Sequence, residues 1–260
     1  MAKEKRVVLP IFGENKATTV PLPGGTGGLG ALLPAIRKLS STVMTESETR
    51  ARAAGLKVSC KTGCTACCHQ LVPVSLIEAK ALVTALARLP QKQHKEVKNR
   101  FAHVLSTLEK NGLIHPKHDQ PRTSLVSPGD GSESERWDAL SRRYLELNMA
   151  CPFLIEGRCS VYEERPFACR EYAVTSSPEH CATLSDQLAP LPRPVLMTQA
   201  LSLTVDRLED AAPSTLALPL ALEWVEARGA ELRSDHDLSE AFDVLFESIE
   251  WQERDGLWAD

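Results

Sequence analysis

Apolar residues recur at helical spacing along most of this 260-residue chain. From Gly30 the apolar positions lie three or four residues apart and Gly55 follows as a stop, which predicts a first helix between these two glycines. A second helix is predicted from Ser75, because Ser75 and Glu78 have the spacing of a capping box. A third helix ends near Gly112. Further amphipathic helices are predicted over residues 133–148, 216–228 and 238–251. The pattern therefore indicates a mainly α fold.

Residues 1–28 differ from the rest of the chain, because Pro21–Gly28 is too rich in glycine and proline for a helix or an inner strand. We expect a flexible N-terminal tail over residues 1–28 and a single helical domain over residues 29–260. The GGTGG run at 24–28 lies in this tail with no predicted strand before it. Since no G-x-G-x-x-G follows a predicted strand, the sequence predicts no phosphate-binding loop.

Two irregular segments interrupt the helical pattern, VSCKTGCTACCHQL and CPFLIEGRCSVYEERPFACREY. In the second segment, Glu156-Gly157 separates Phe153–Ile155 from the residues from Arg158 onward, which predicts a tight hairpin. A short helix is predicted within Tyr162–Tyr172. Residues Ala200–Val205 alternate like a strand but also fit the front of a helix.

Composition and charge narrow the class of protein. The formal net charge is −4, the sequence pI is about 6.0 and aromatic residues make up 5%. A nucleic-acid-binding role is therefore not expected, since neither a basic field nor many stacking rings are available. No stretch approaches the ~18 apolar residues of a membrane helix. The N-terminal residues carry no targeting signal, so we expect a cytoplasmic protein whose thiols stay reduced.

The eight cysteines are the unusual feature of the composition. They form two blocks, Cys60-x3-Cys64-x2-Cys67-Cys68 and Cys151-x7-Cys159-x9-Cys169-x11-Cys181. Thiolates are soft ligands that select zinc, copper(I) or iron–sulfur clusters. Neighbouring cysteines cannot easily both bind one mononuclear ion, so the eight suit two four-thiolate sites, a cluster with a zinc, or one larger assembly. All eight are candidate ligands, and we expect both blocks to converge on one metal-binding core at about 56–185.

Charged and imidazole side chains beside the cysteines are further candidates. Four thiolates around a zinc ion or a cubane cluster leave a charge of roughly −2. Arg165 and Arg170 flank the second block and are expected to offset this charge and to donate hydrogen bonds to sulfur. His69 and His180 each adjoin a cysteine, and the sequence leaves open whether either replaces a cysteine ligand.

The two cysteine blocks together resemble the bacterial CxxCxxCC cysteine-cluster family of zinc- or iron-chelating domains. The first block ends in Cys67-Cys68, as in that family. The second carries the family's C-P-F-L, G-x-C, R-P and C-R elements on residues 151–154, 157–159, 165–166 and 169–170. The gap between Cys60 and Cys64 is three residues where the family has two, so Cys60 fits the motif least well.

The resemblance implies a metal-binding protein and leaves three functions open. The first is an iron–sulfur or iron protein with a possible redox role, favoured by the Cys67-Cys68 pair. The second is a structural zinc module that fastens the irregular segments to the helices. The third is an S-adenosylmethionine-dependent lysine methyltransferase, since a flagellin lysine-N-methylase group is a distant relative. Neither the substrate of a reaction nor a protein partner is indicated.

Overall fold

The computed structural model describes residues 3–117, 122, 126–127, 134–209 and 215–251. Its described part is mainly α, in agreement with the sequence pattern. The helices are α1 (Leu33–Ala53), α2 (Leu76–Ala87), α3 (Gln91–Lys110), α4 (Ser134–Glu146), α5 (Phe167–Arg170), α6 (Pro178–Thr183), α7 (Met197–Leu208), α8 (Ala221–Arg228) and α9 (Leu238–Glu247). None of the described helices is both long enough and apolar enough to cross a bilayer.

Short antiparallel strands accompany the helices. They are β1 (Lys3–Ile11), β2 (Glu14–Leu22), β3 (Thr26–Gly27), β4 (Pro73–Ser75), β5 (Val126–Ser127), β6 (Leu154–Ile155), β7 (Arg158–Cys159), β8 (Thr215–Ala217) and β9 (His236–Asp237). Strand β1 pairs with β2, β3 with β9 and β6 with β7, while β8 lies between β4 and β5. Two of these pairings are local hairpins, β1–β2 and β6–β7, whereas β3–β9 and β4–β8–β5 join distant parts of the chain.

An ordered hairpin occupies most of the segment where the sequence predicted a flexible tail. Strands β1 and β2 pair from Lys3 opposite Leu22 to Ile11 opposite Glu14. The turn between them uses positive φ angles of 53° at Phe12 and 76° at Gly13. Alternate apolar side chains point inward and join the main core, namely Val7, Leu9, Ile11, Val20 and Leu22. Burial of one face of this hairpin against α1 orders the N-terminal segment.

The predicted helix boundaries near the first cysteine block are confirmed. Ser75 precedes α2 and forms the predicted capping box, accepting a 3.2 Å hydrogen bond from Glu78 N and donating its own N–H to Glu78 Oε2 at 2.8 Å. Helix α1 ends before Gly55, and α3 ends before Gly112. Both glycines adopt positive φ angles, of 76° and 65°, which only glycine adopts readily.

Residues Ala200–Val205, for which the sequence left a strand and a helix open, lie inside α7, because their buried positions follow helical spacing. Two other segments differ from their sequence-based expectation. The predicted helix over 216–228 begins as strand β8 and a short 3-10 turn before α8, since Thr215–Ala217 pairs with β4. The helix expected within Tyr162–Tyr172 is interrupted before Pro166, whose ring cannot continue a helix from the preceding turn.

Candidate metal centre

Tight turns present the first cysteine block. Gly63 has a φ of 86°, which allows the chain to reverse before Cys64. Cys68 N donates to Thr65 O at 2.9 Å, and Gln70 N donates to Cys67 O at 3.1 Å. These bonds close a 3-10 turn over Ala66–His69, so the block is held by its backbone rather than by apolar packing, and none of the turn's four side chains is fully buried.

The second block is built on the predicted hairpin, β6 and β7. Positive φ angles at Glu156 (48°) and Gly157 (71°) give the two-residue turn that the Glu-Gly pair predicted. Phe153 fixes the hairpin to α3, because its ring meets Phe101 edge-to-face with centroids 5.3 Å apart. Cys159 ends β7, and Cys169 lies in the short helix α5.

The two blocks are in direct contact although about 80 residues separate them. Cys151 N donates to Cys68 O at 2.7 Å. On the other side of the first block, the Gln70 side-chain amide donates to Cys181 O at 2.8 Å, and Ser59 N donates to Val174 O at 2.9 Å. The first block therefore lies between the two ends of the second.

Six of the eight cysteines line one cavity of about 450 Å³. Both blocks contribute three residues to its lining, which are Cys64, Cys67, Cys68, Cys151, Cys159 and Cys169. Apolar side chains such as Val72, Phe153 and Leu218 form other parts of the wall. Cys60 and Cys181 lie outside the lining, Cys60 exposed and Cys181 buried.

The sulfur atoms share this cavity without forming a closed ligand set. Among the residues that the structure describes, no three His, Cys, Asp or Glu side chains are grouped closely enough to hold a metal ion. All eight cysteines are free thiols. The structure thus brings the two blocks together around one cavity, while the convergence of all eight on a metal remains a prediction.

Burial determines the protonation of most of these thiols. It raises the pKa of Cys151 to about 12 and that of Cys169 well above its usual value. The neighbouring pair behaves differently, because a hydrogen bond with the Cys68 thiol lowers the pKa of Cys67 to about 7. The same bond raises the pKa of Cys68, so the two neighbouring thiols share one proton between them.

Arg165 and Arg170 differ in their relation to the cavity. Arg165 lines it and lies over the Tyr162 ring, with Cζ 4.2 Å from the centroid. Its positive charge opposes the burial that raises the pKa of Cys159 and Cys169. Arg170 lies outside the lining, donates from Nε to Arg165 O at 3.1 Å and also bonds Glu163 O. Arg165 therefore lies beside the thiols, and Arg170 lies outside the cavity and contacts the backbone of Arg165.

Buried polar atoms without a hydrogen-bond partner are concentrated around the two blocks. Within the described residues they are His69 Nδ1, Ser160 Oγ, Arg165 Nε and Tyr172 Oη. Leaving such a group unpaired costs about 1–3 kcal/mol, so native proteins seldom do it. Anionic sulfur in a filled site would supply acceptors for donors such as Arg165 Nε. The chemistry of the lining therefore fits a thiolate-bound metal or cluster.

The same observation separates the two candidate histidines. His69 keeps a buried Nδ1 with no partner, whereas His180 Nδ1 lies 2.8 Å from Ser185 Oγ. Of the two Nδ1 atoms, that of His69 is therefore the one without a hydrogen-bond partner. Ser160 and Tyr172 were missed by sequence reasoning, because a single hydroxyl beside a cysteine block follows no periodic pattern.

Glu78 has a second role that its capping box did not reveal. Its Oε1 accepts a 2.8 Å hydrogen bond from Phe167 N, the first residue of α5, and a 3.4 Å bond from Thr198 Oγ1. Through this carboxylate the N-terminus of α2 holds the short helix that carries Cys169. Burial raises the pKa of Glu78, because the site is closed to water.

Comparison with known proteins agrees with the motif. Residues 59–187 match the CxxCxxCC family model, described as "Putative zinc- or iron-chelating domain". This segment belongs to the CxxCxxCC family. The match covers almost half of the chain and contains both cysteine blocks, α2, α3 and the cavity lining except Leu218. Searches of curated proteins and of solved structures found no significant match.

Proposed function

We propose that this CxxCxxCC protein binds iron, in the form of an iron–sulfur cluster, in the cavity that its two cysteine blocks share. The observation that carries the proposal is the lining of that cavity, to which each block contributes three cysteines. A cluster would be held by four of these six thiolates and would supply electron-transfer chemistry. We draw the ligands of the cluster from these six cysteines, because Cys60 and Cys181 are not part of the lining.

Two features favour a cluster over a single ion. Cys67 and Cys68 are adjacent, which suits a larger centre. The cavity of about 450 Å³ is also spacious for one metal ion. Arg165 lines the same space and would offset the negative charge of the sulfur ligands.

A structural zinc site is the second candidate, and the shortness of the local elements favours it. Strands β6 and β7 have two residues each and α5 has four. Segments this short have little stability of their own, and a structural zinc can contribute about 10 kcal/mol of folding free energy. Under this alternative the metal fastens the blocks and takes part in no electron transfer.

Metal and sulfide analysis of anaerobically purified protein distinguishes the candidates. The cluster predicts iron with a comparable amount of acid-labile sulfide and visible absorption that bleaches on reduction. Colourless protein containing zinc without sulfide would support the structural alternative. Protein that folds fully and contains neither metal would reject both.

Matched serine variants then test the ligand set. Cys68→Ser and Cys151→Ser remove a cavity thiol from each block and are expected to lose most of the iron and sulfide. Cys60→Ser makes the same sulfur-to-oxygen change in the first block, but at a residue outside the cavity lining. The metal content of this variant should therefore stay near that of the unmodified protein. Equal loss in all three variants would contradict the proposed division of the cysteines.

A further inference from the structure

A second cavity, of about 550 Å³, lies at the start of α1. It is bordered by the first residues of that helix, by one face of α2 and by the loop before β9. Glu164 lines this cavity, whereas Tyr162 and Arg165 line the cysteine cavity, so the two are separated by one short segment of chain. Its volume is in the range of small-molecule sites, roughly 300–1,000 Å³.

Basic side chains from separate elements surround this cavity. Arg37 projects from α1, Lys80 and Arg88 from α2 and its end, and Arg233 from the loop before β9. Lys80 donates to Gly229 O at 3.1 Å, and Arg233 is paired with Asp235. Within the described residues neither Arg37 nor Arg88 forms an ion pair. Four positive charges therefore lie around one concave surface.

The acidic residues of the lining do not neutralise these charges. The Glu209 carboxylate is held by His236 Nε2 at 2.7 Å and by Arg233 N at 3.1 Å, on the loop side of the cavity. Glu164 lies close to Arg170, where it acts on the pKa of that guanidinium. Four basic side chains against two carboxylates leave the lining with a net positive charge, which favours an anion.

Glycines form the part of the wall that is made by backbone. Gly28 and Gly30 line the cavity at the start of a 3-10 turn that continues into α1. A Cβ atom added to Gly30 would meet nothing within 4 Å, and one added to Gly28 would make an ordinary 3.5 Å contact with Arg233 O. Neither glycine has a positive φ. Neither packing nor backbone conformation therefore requires glycine at these two positions. Because glycine has no side chain, the backbone here stays accessible from the cavity.

This arrangement changes the expectation drawn from the sequence. The glycine run follows strand β2 and precedes a 21-residue helix, and residues 25, 27 and 30 have G-x-G-x-x-G spacing. The surrounding strands are antiparallel, so this is not a dinucleotide-binding βαβ unit. Part of the backbone here is already hydrogen-bonded, since Ala31 N donates to Gly28 O at 2.9 Å, Leu33 N donates to Gly30 O and Pro34 has no N–H. The features that favour an anion are the electropositive N-terminus of the 21-residue helix and the basic side chains around the cavity.

We propose that this cavity binds the phosphate of a small organic phosphate. The phosphate would lie against the backbone at Gly28 and Gly30, within reach of Arg37. Leu29, Leu33 and Ile77 also line the cavity, so the ligand has an apolar part beside its phosphate. A nucleotide has both parts and a suitable size. The proposal is independent of the metal in the cysteine cavity.

Calorimetric titration of the full-length, metal-containing protein with ADP, pyrophosphate and adenosine tests the proposal. ADP is expected to bind more tightly than adenosine, and pyrophosphate is expected to compete with ADP. Binding should weaken as salt is raised, because the contacts are ionic. No binding of ADP or pyrophosphate at millimolar concentration, or equal binding of ADP and adenosine, would overturn the proposal.

Three variants locate the binding. Arg37→Gln removes a lining charge, and Gly30→Leu fills the open wall; each is expected to weaken ADP binding by about tenfold or more, the scale of one lost charge-assisted hydrogen bond. Lys38→Gln removes the same charge from the next residue of α1, which is exposed and outside the lining, and should leave binding within about twofold. Melting temperatures check that each variant folds. Unchanged binding in Arg37→Gln, or equal loss in Lys38→Gln, would overturn the assignment.

Discussion

The Glu78 side chain links the helical scaffold to the cysteine cavity, so its replacement should affect both. It is 4% exposed and accepts hydrogen bonds from two backbone N–H groups, Ser75 N and Phe167 N, each at 2.8 Å. Glu78→Leu replaces the carboxylate with an apolar side chain of similar size. Both buried N–H groups then have no acceptor. Each orphaned donor costs about 1–3 kcal/mol, so the unfolding free energy should fall by about 2–6 kcal/mol.

The same substitution should reduce metal binding. Helix α5 carries Cys169 into the cavity, and the Phe167 N–H at its start is held by Glu78. We therefore expect Glu78→Leu to retain less metal than the unmodified protein under conditions in which it is still folded. Glu78→Gln keeps one acceptor oxygen and should give an intermediate result in both measurements.

Denaturant unfolding followed by circular dichroism, with metal analysis of the same samples, provides the assay. Glu240→Gln is the matched control, because Glu240 also lies in the first turn of a helix but is exposed and carries no such contacts. Its unfolding free energy should change by less than about 0.5 kcal/mol. A Glu78→Leu protein as stable as this control, with full metal content, would refute the reasoning.

Three further predictions follow from the fold. Leu9→Ala should cost about 2–5 kcal/mol of unfolding free energy because Leu9 is fully buried, whereas exposed Val8→Ala should cost little; equal effects in thermal melts would show that the hairpin does not pack. Arg122→Met should cost about 3–5 kcal/mol in denaturant unfolding, since it removes the cationic partner of the buried Glu223 carboxylate, and an unchanged midpoint would exclude this ion pair. Burial raises the pKa of Glu171 to about 8, so its contribution to stability should be present below pH about 4.5 and be lost as the pH rises through about 8. Glu171→Gln should flatten that profile between pH 5 and 9, and a parallel profile would contradict the assignment.

The helices could be predicted because their signals are local. The Ser75–Glu78 capping box and the glycines after α1 and α3 each act within a few residues, and the structure reproduces them. The N-terminal hairpin was missed because the glycine-rich run at 24–28 dominated the interpretation. The alternation of Val7, Leu9 and Ile11 was the available signal for a strand with one buried face.

Contacts between distant residues could not be predicted in the same way. The bond from Phe167 N to Glu78 joins residues 89 positions apart. Strand β8 has a sequence that fits the predicted helix and is fixed by its pairing with β4. The cysteine blocks were recognised by their spacing, but that spacing says nothing about which thiols share a cavity. Six of the thiols line one cavity, while Cys60 and Cys181 lie outside its lining but near Cys64 and Cys67, and this division depends on how the chain folds around them.

X-ray absorption spectroscopy at the metal edge tests the central claim most directly, because it reports the atoms bound to the metal. For anaerobically purified protein, a cluster in the shared cavity predicts iron surrounded by sulfur, with an additional iron neighbour. Cys68→Ser and Cys151→Ser should each disturb this signal, since the two blocks contribute ligands to one centre. A metal bound mainly by nitrogen and oxygen, or a sulfur environment that is unchanged when either of these cysteines is replaced, would contradict the account.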